Sequence, residues 1–592
     1  MSFLDPRDIA FWLYDWLGAE RLTAHPAYAD HSRETFDAVL ELSEQIATDL
    51  FANHYKKSDQ VEPRLENGRA KVIPEIKQAM AAYAEAGLFA ASFAPELGGM
   101  GLPHVVDTAS MAHFMAANIA TAAYPMLTAA NARVLAKYGT PAQIEAFARL
   151  EIEGKALGTM CLSEPQAGSS LADVATRAVP DGEDPLGPRY YLTGNKMWIS
   201  GGDHDITDTI IHLVLAKIPG PDGKLPAGTG GITLFIVPSV LTDGARNDIA
   251  VAGLNHKMGY RGTVNCLLNL GEAGGAVGYR LGEPGQGLAI MFTMMNEARV
   301  FVGLGAAALA MRGYRQSLDY ARERLQGREG KDPASAPVPI IRHADVKRML
   351  LAEKALAEGA LSLILYSAHL MDRERVAETD AERDRAASLL GLLTPVAKSW
   401  PSEFGLEANS YAIQVHGGYG YTRDFDVEQI YRDNRINPIH EGTHGIQAID
   451  LVGRKIIRDR GSALAMLGGD IAATVARASA HDRLKTQAAG LEIVWSHFTD
   501  VAGSLIALND PNRVLDNASP FLTAFGHVVV AWLWLDQAAT LAANPAGDPA
   551  WIEGKFRACR YFIEVELPKV APLLMTVASL NDVAATMPED AF

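Results

Sequence analysis

The chain has 592 residues, 48% of them hydrophobic and 21% charged, with a net charge of −17. That length exceeds what one hydrophobic core sustains, so two to four domains are expected in an ordinary globular protein. The acidic balance excludes nucleic acid as the main partner, because phosphate binding needs a basic face.

Residues 1–155 read as a helical domain with an N-terminal extension. Apolar residues recur at three- and four-residue spacing over 34–53, 72–87, 105–117 and 141–153, and Phe93-Ala-Pro-Glu-Leu-Gly-Gly-Met-Gly-Leu102 is a glycine-rich loop. The acidic start, Met1-Ser-Phe-Leu-Asp-Pro-Arg-Asp, does not suit a signal peptide, and no apolar run looks long enough for a membrane span. A cytoplasmic setting is therefore expected. Cys161, Cys266 and Cys559 lie far apart in apolar surroundings, as buried thiols do in a reducing compartment.

Residues 156–285 change in texture. Short β-like runs at 158–162, 190–192, 197–200, 210–216, 231–237 and 264–270 alternate with turn clusters such as Pro180-Asp-Gly-Glu-Asp-Pro185. No long helical pattern intervenes, which predicts an antiparallel sheet or small barrel. Helical pattern returns over 286–462, with long helices at 288–325, 343–372, 384–416 and 445–459. A further helical domain, 463–592, has Trp495, Trp532 and Trp534 as core anchors. The fold class is therefore α+β and mostly α.

His440-Glu441-x-x-His444 matches the zinc-protease pattern, two histidines one helical turn apart with a glutamate that activates water. That reading requires one regular helix across the motif. Pro438 stands just upstream, and Gly442 and Gly445 interrupt the segment, each costing about 1 kcal/mol relative to alanine inside a helix. A helix capped by Thr443, with Ile446, Ile449, Val452 and Ile456 on one stripe, leaves His440 in a loop. The segment then ends a loop in a carboxylate, and no metal site is expected.

Four segments stand out together: Cys161-Leu-Ser-Glu-Pro-Gln-Ala-Gly-Ser169; Leu192-Thr-Gly-Asn-Lys-Met-Trp-Ile-Ser200; Asn296-Glu-Ala-Arg299 with Arg324; and the glycine-rich turn at Gly417 and Gly418 followed by Glu441-Gly-Thr443. In order and spacing they resemble the acyl-CoA dehydrogenase family over about residues 70–460. The resemblance implies an FAD enzyme that desaturates an acyl-CoA thioester to the trans-2-enoyl-CoA. Glu441 would be the catalytic base, and the β-hydride would go to flavin N5. Leu162, Ser163, Trp198, Ile199 and Ser200 would meet the flavin ring, and Arg324 its pyrophosphate. Gln414, Gly417 and Gly418 would reach the FAD of a neighbouring subunit, which implies at least a dimer, the long members of the family implying a homodimer, and Thr443 would be a further FAD contact. Ser169, Asn296, Arg299 and Gly442 would face the substrate.

An electron-transfer flavoprotein is the acceptor that the resemblance implies; an acyl-CoA oxidase or stress protein of the same fold, and remotely a zinc hydrolase through His440 and His444, are the alternatives. Some relatives carry the base immediately before the arginine at 299, where this chain has Ala298, with Glu297 one residue away. The chain also departs from the family after Arg324, where Leu-Gln-Gly-Arg328 replaces the usual R-x-x-F-G, and at Gly445, where many members have glutamine. The extension and the last 130 residues resemble a long bacterial subgroup that includes fatty-acyl-CoA and 3-methylthiopropanoyl-CoA dehydrogenases.

Overall fold

The computed structural model describes residues 3–330, 334–508, 510–545 and 547–592, without the side chains of 293–297 and 511. The chain forms two compact units. One holds residues 33–103 and 113–298; the other holds 3–32, 104–112 and 299–592.

In the first unit, helices α1 (Arg33–Ile46), α2 (Pro74–Glu85) and most of α3 (His104–Tyr138) precede the strands. The stretch expected to end at 117 does break there: Asn118 adopts φ −160° and ψ 93°, and its amide nitrogen donates to the Phe51 carbonyl at 3.1 Å. The helix then resumes to Tyr138.

Eight strands follow: β1 (Ala156–Cys161), β2 (Arg177–Asp184), β3 (Gly187–Ser200), β4 (Thr209–Lys217), β5 (Ile232–Pro238), β6 (Ile249–Leu254), β7 (Asn265–Leu270) and β8 (Ala276–Leu281). Seven of them run in the order β8-β5-β4-β2-β3-β7-β6, β1 pairs in parallel with β4 off that path, and β8 also pairs with β3, so the ring β8-β5-β4-β2-β3 closes as a small barrel. Closure leaves β5 buried along its whole length, which is why 232–238 reads as an unbroken apolar run rather than an alternation.

Two expectations need correction here. The cluster Pro180-Asp-Gly-Glu-Asp-Pro185 is largely strand β2 and not a turn. Its acids face solvent, and a bulge between Pro180 and Gly182 accommodates the proline and a glycine at φ 123°. The runs 190–192 and 197–200 are one strand, β3, whose first half pairs with β2 and β8 and whose second half pairs with β7.

The second unit is helical. Its elements include α4 (Gly287–Glu323, whose first turns belong to the other unit), α5 (Ala344–Arg375), α6 (Asp380–His416), α7 (Val427–Asn434) and α8 (His444–Ile449). They continue with α9 (Ser462–Ser479), α10 (Lys485–Leu508), α11 (Ala518–Ala543), α12 (Pro549–Tyr561) and α13 (Val570–Ala578). A four-residue connection with the Thr379–Glu382 capping box starts α6.

α11 corrects the expectation that no apolar run is long enough for a membrane: by length and composition it passes, but 83% of its apolar window is buried in the unit. Its polar groups are anchored there. Trp534 Nε1 donates to the Ala355 carbonyl at 3.0 Å, Trp532 Nε1 to Thr474 Oγ1 at 3.0 Å, and Trp12 Nε1 to Gln537 Oε1 at 2.7 Å. Trp532 and Trp534 are core anchors as expected, whereas Trp495 is only half-buried on α10. The N-terminal segment is fastened to the same helices by Lys555, whose buried ammonium lies 2.7 Å from Asp8 and 2.8 Å from Glu358.

Candidate active site

In the barrel unit a single corner gathers several of the expected residues. β1 ends at Cys161, and the chain turns through Leu162 and Ser163 beside β3. There the Met197 N–H donates to the Ser163 carbonyl at 3.0 Å, and Lys196 Nζ donates to the Leu162 carbonyl at 3.1 Å. Lys196 also pairs with Glu164 at 2.9 Å, the two side chains being 0% and 3% exposed. Glu164 in turn accepts from the N–H groups of Ala175 and Thr176 at 2.7 and 3.1 Å, which fixes the following turn. Burial raises the Glu164 carboxyl, but Lys196, the Thr176 hydroxyl and the Ala175 N–H outweigh it and hold the group below its ordinary value.

The β3–β7 register shifts between Lys196 and Ile199, and this bulge turns Trp198 outward with φ 65° and 61% exposure. A large indole in left-handed backbone, facing solvent, is strained and hydrophobically costly unless something covers it. Ile199 points the other way, into the core at 2% exposure, so only its backbone faces Trp198's side. Ser200 Oγ accepts from Asn265 Nδ2 at 3.1 Å, and Ser169 is exposed. Asn296 and Glu297 have side chains outside the described residues.

In the helical unit, Glu441 sits in the turn between α7 and α8. Glu441 at φ 53° and Gly442 at φ 89° are consecutive left-handed residues, and Thr443 Oγ1 then caps α8 by accepting from the Ile446 N–H at 3.4 Å. Gln447, fully buried one turn later, donates from Nε2 to the Glu441 carbonyl at 3.1 Å. A Cβ on Gly442 would stand 2.6 Å from that nitrogen, so the glycine is required twice, by its φ and by this contact. Among the described residues the Glu441 N–H has no hydrogen-bond partner.

Burial raises the Glu441 carboxyl, and two cations oppose it, Lys398 first and then Arg299. Arg299, expected along the substrate path, is buried and ion-paired to Asp450 at 2.8 Å. Neither histidine is arranged for a metal. His440 contacts Asn437 Oδ1 through Nε2 at 3.1 Å, and burial, then Lys398, pushes its pKa down to about 3. His444 Nδ1 lies 3.6 Å from Glu403, and no metal-holding group of three His, Cys, Asp or Glu occurs among the described residues.

A second part of the helical unit gathers Arg324, Gly417 and Gly418 with Tyr320, His416 and Tyr419 around a cleft of about 510 Å³. The Arg324 guanidinium, exposed to solvent, lies 5.7 Å from the centre of the Tyr419 ring. Gly417 has φ 60°, and a Cβ on either glycine would meet open space. Gln414 is exposed on the last turn of α6, just before the cleft.

These features fit FAD part by part. The exposed indole of Trp198 and the polar backbone around Ser163 suit a planar heterocycle, while a free guanidinium over an open glycine turn suits a pyrophosphate. Sequence reasoning missed the residues that hold these parts in place. Lys196 and Glu164 stand inside the quoted motifs, so their charge in apolar surroundings was the available signal. Lys398, Gln447 and Asp450 carry no local signal, since their partners are set by the fold.

Comparison with known proteins agrees with the geometry. Family profiles match successively: Acyl-CoA dehydrogenase, N-terminal domain, over residues 51–154; middle domain over 159–272; C-terminal domain over 285–457; and Acetyl-CoA dehydrogenase C-terminal like over 467–588. The chain is 35% identical to 3-methylmercaptopropionyl-CoA dehydrogenase of Ruegeria pomeroyi, covering 95% of this chain and 96% of that one. It is 33% identical to the broad-specificity linear acyl-CoA dehydrogenase FadE5 of Mycobacterium tuberculosis, over 99% of each. An acyl-CoA dehydrogenase from Bacillus anthracis solved with FAD shares the fold, with a TM-score of 0.74 at 20% identity, covering 98% of this chain and 95% of that one. Barrel, helices and added C-terminal helices alike are those of one family: this chain belongs to the acyl-CoA dehydrogenases.

Proposed function

We propose that this chain dehydrogenates a saturated acyl-CoA across Cα–Cβ, with Glu441 removing the α-proton. The cofactor of the family is FAD, which when bound supplies the hydride acceptor for the β-hydrogen, a capacity no side chain has. The observation that carries the reading is Glu441 itself. It is a carboxylate held in left-handed backbone by Gln447, raised by burial toward the range where it is a useful base, and fixed next to an uncommitted N–H.

As the α-proton leaves, negative charge develops on the thioester oxygen. The Glu441 N–H is the donor proposed to meet it, in the manner of an oxyanion hole. Gly442, lacking a Cβ, lets the acyl group approach this turn. Leu162, Ser163, Trp198, Ile199 and Ser200 are proposed to hold the flavin ring, with Thr443 a further contact. Ser169, Asn296 and Arg299 are assigned to the CoA side, Arg299 through its effect on Glu441 rather than by direct contact, since Asp450 occupies its guanidinium.

Arg324, Gly417 and Gly418 line one cleft, which supports assigning them one ligand; with Gln414 they are proposed to take the FAD pyrophosphate and adenosine of a second copy. That reading requires at least a dimer; the homodimer is our proposal, and a stable tetramer in solution would contradict it. The domains proposed are 1–155, 156–285, 286–462 and 463–592. The electron acceptor proposed is an electron-transfer flavoprotein, and the cytoplasm suits three buried free thiols.

The test is anaerobic addition of acyl-CoAs from short to long, 3-methylthiopropanoyl-CoA included, to yellow FAD-loaded protein. Bleaching by one or more of them, with the enoyl-CoA formed, is expected. Yellow protein that no acyl-CoA bleaches would refute the reading.

A further inference from the structure

We propose that Lys398 is a positioning residue for Glu441, its buried ammonium tethering the turn that carries the carboxyl and setting the charge that the carboxyl faces. This rests on the reading of Glu441 as the base.

Lys398 is on α6 and fully buried, an expensive place for an ammonium. Its Nζ donates to the Asn437 carbonyl at 2.7 Å, four residues before Glu441. Asn437 is itself the end of a buried amide chain. Its Nδ2 donates to Asn434 Oδ1 at 2.9 Å, Asn434 Nδ2 donates to Asn409 Oδ1 at 2.6 Å, and Asn409 Nδ2 donates to the Leu309 carbonyl on α4 at 3.0 Å. All three asparagines are 0% exposed. The turn is thus fixed from two sides, by Gln447 behind it and by Lys398 and the amide chain ahead of it.

A carbonyl tether alone would not require a charge, since a neutral donor could make it. The charge has its own counterparts, Glu441 and Glu403, both of which favour the ammonium. Burial lowers the Lys398 pKa to about 8, so the group is still cationic at neutral pH. The other charged groups around Glu441 do not replace it. Arg299 on α4 acts on Glu441 less strongly and is neutralised by Asp450. His440 is neutral, and His444 on α8 faces Glu403.

The experiment uses the full-length FAD-loaded enzyme and butanoyl-CoA or whichever acyl-CoA of the panel turns over fastest. Two readouts are taken: the acidic limb of the kcat/KM profile, and the infrared titration of the carboxyl band that disappears in Glu441→Gln. Lys398→Met, of similar length but uncharged, is expected to move both upward by about one pH unit, the size of one opposite charge nearby. Lys398→Arg should restore the wild-type position. Glu403→Gln, which frees the ammonium for Glu441 alone, should move both downward.

A folded Lys398→Met protein with both readouts unchanged would overturn the proposal. Should Lys398→Met not fold, an unmoved titration in Glu403→Gln overturns it instead. If Glu441→Gln keeps full activity, the base reading fails, and the infrared titration still decides whether Lys398 governs that carboxyl.

Discussion

Replacing Lys196 by methionine removes one ammonium that three acceptors share inside the barrel. Its Nζ donates to the carbonyls of Leu162 and Leu215 at 3.1 and 2.7 Å and to Glu164 at 2.9 Å, with neither charged side chain more than 3% exposed. Breaking one end of a buried pair costs about 3–5 kcal/mol, because the remaining charge stays buried without its partner. For a unit of this size each kcal/mol is worth about 2–4 °C, so the barrel transition should fall by about 10 °C in calorimetry. The double variant Lys196→Met with Glu164→Gln should recover much of the loss, since no lone charge remains.

The pH dependence has a definite sign. The folded Glu164 carboxyl is below its unfolded value, so its stabilisation is present above about pH 4.3 and drains as pH falls through the folded value. Wild-type stability should therefore decline with acid more steeply than that of Lys196→Met. A Lys196→Met protein melting within about 1 °C of wild type would refute the reasoning.

Three further outcomes are expected. Trp198→Gly relieves a left-handed φ at an exposed site, so the melting temperature should hold within about 2 °C while FAD dissociates more readily, read by flavin fluorescence. Arg324→Gln, at an exposed position, should leave stability within about 0.5 kcal/mol but weaken FAD retention by about tenfold or more, measured by titrating apoprotein with FAD. Gly442→Ala places a methyl against Gln447 in left-handed backbone; a loss of about 1–3 kcal/mol and a fall in kcat are expected, with thermal melts and steady-state kinetics as the checks.

What was legible in the sequence is what local chemistry dictates. The Gly442 and Thr443 pair marks where a loop stops and a helix starts, and the structure starts α8 there with Thr443 as its cap. The apolar runs of β4 and β5 announce buried strands because closure covers them on both faces. β2 was hidden because its exposed acids, Pro180 and Gly182 spell a turn, and only pairing with β3 makes them a strand. The helical character of α11 and its anchors Trp532 and Trp534 were legible, but its apolar length was not: Gly526, His527 and Gln537 interrupt the pattern, yet each is buried against a partner in the helical unit. Lys398 lies 43 positions before Glu441 and Arg299 lies 151 before Asp450, separations across which no pattern reports an interaction.

The most direct test of the central claim is Glu441→Gln, which keeps the shape of the side chain and its backbone clamp while removing the base. The protein should fold, remain yellow and still bind acyl-CoA, and its rate of bleaching under anaerobic conditions should fall by about 10²–10⁴-fold. Bleaching at a rate near that of the wild type would contradict the account.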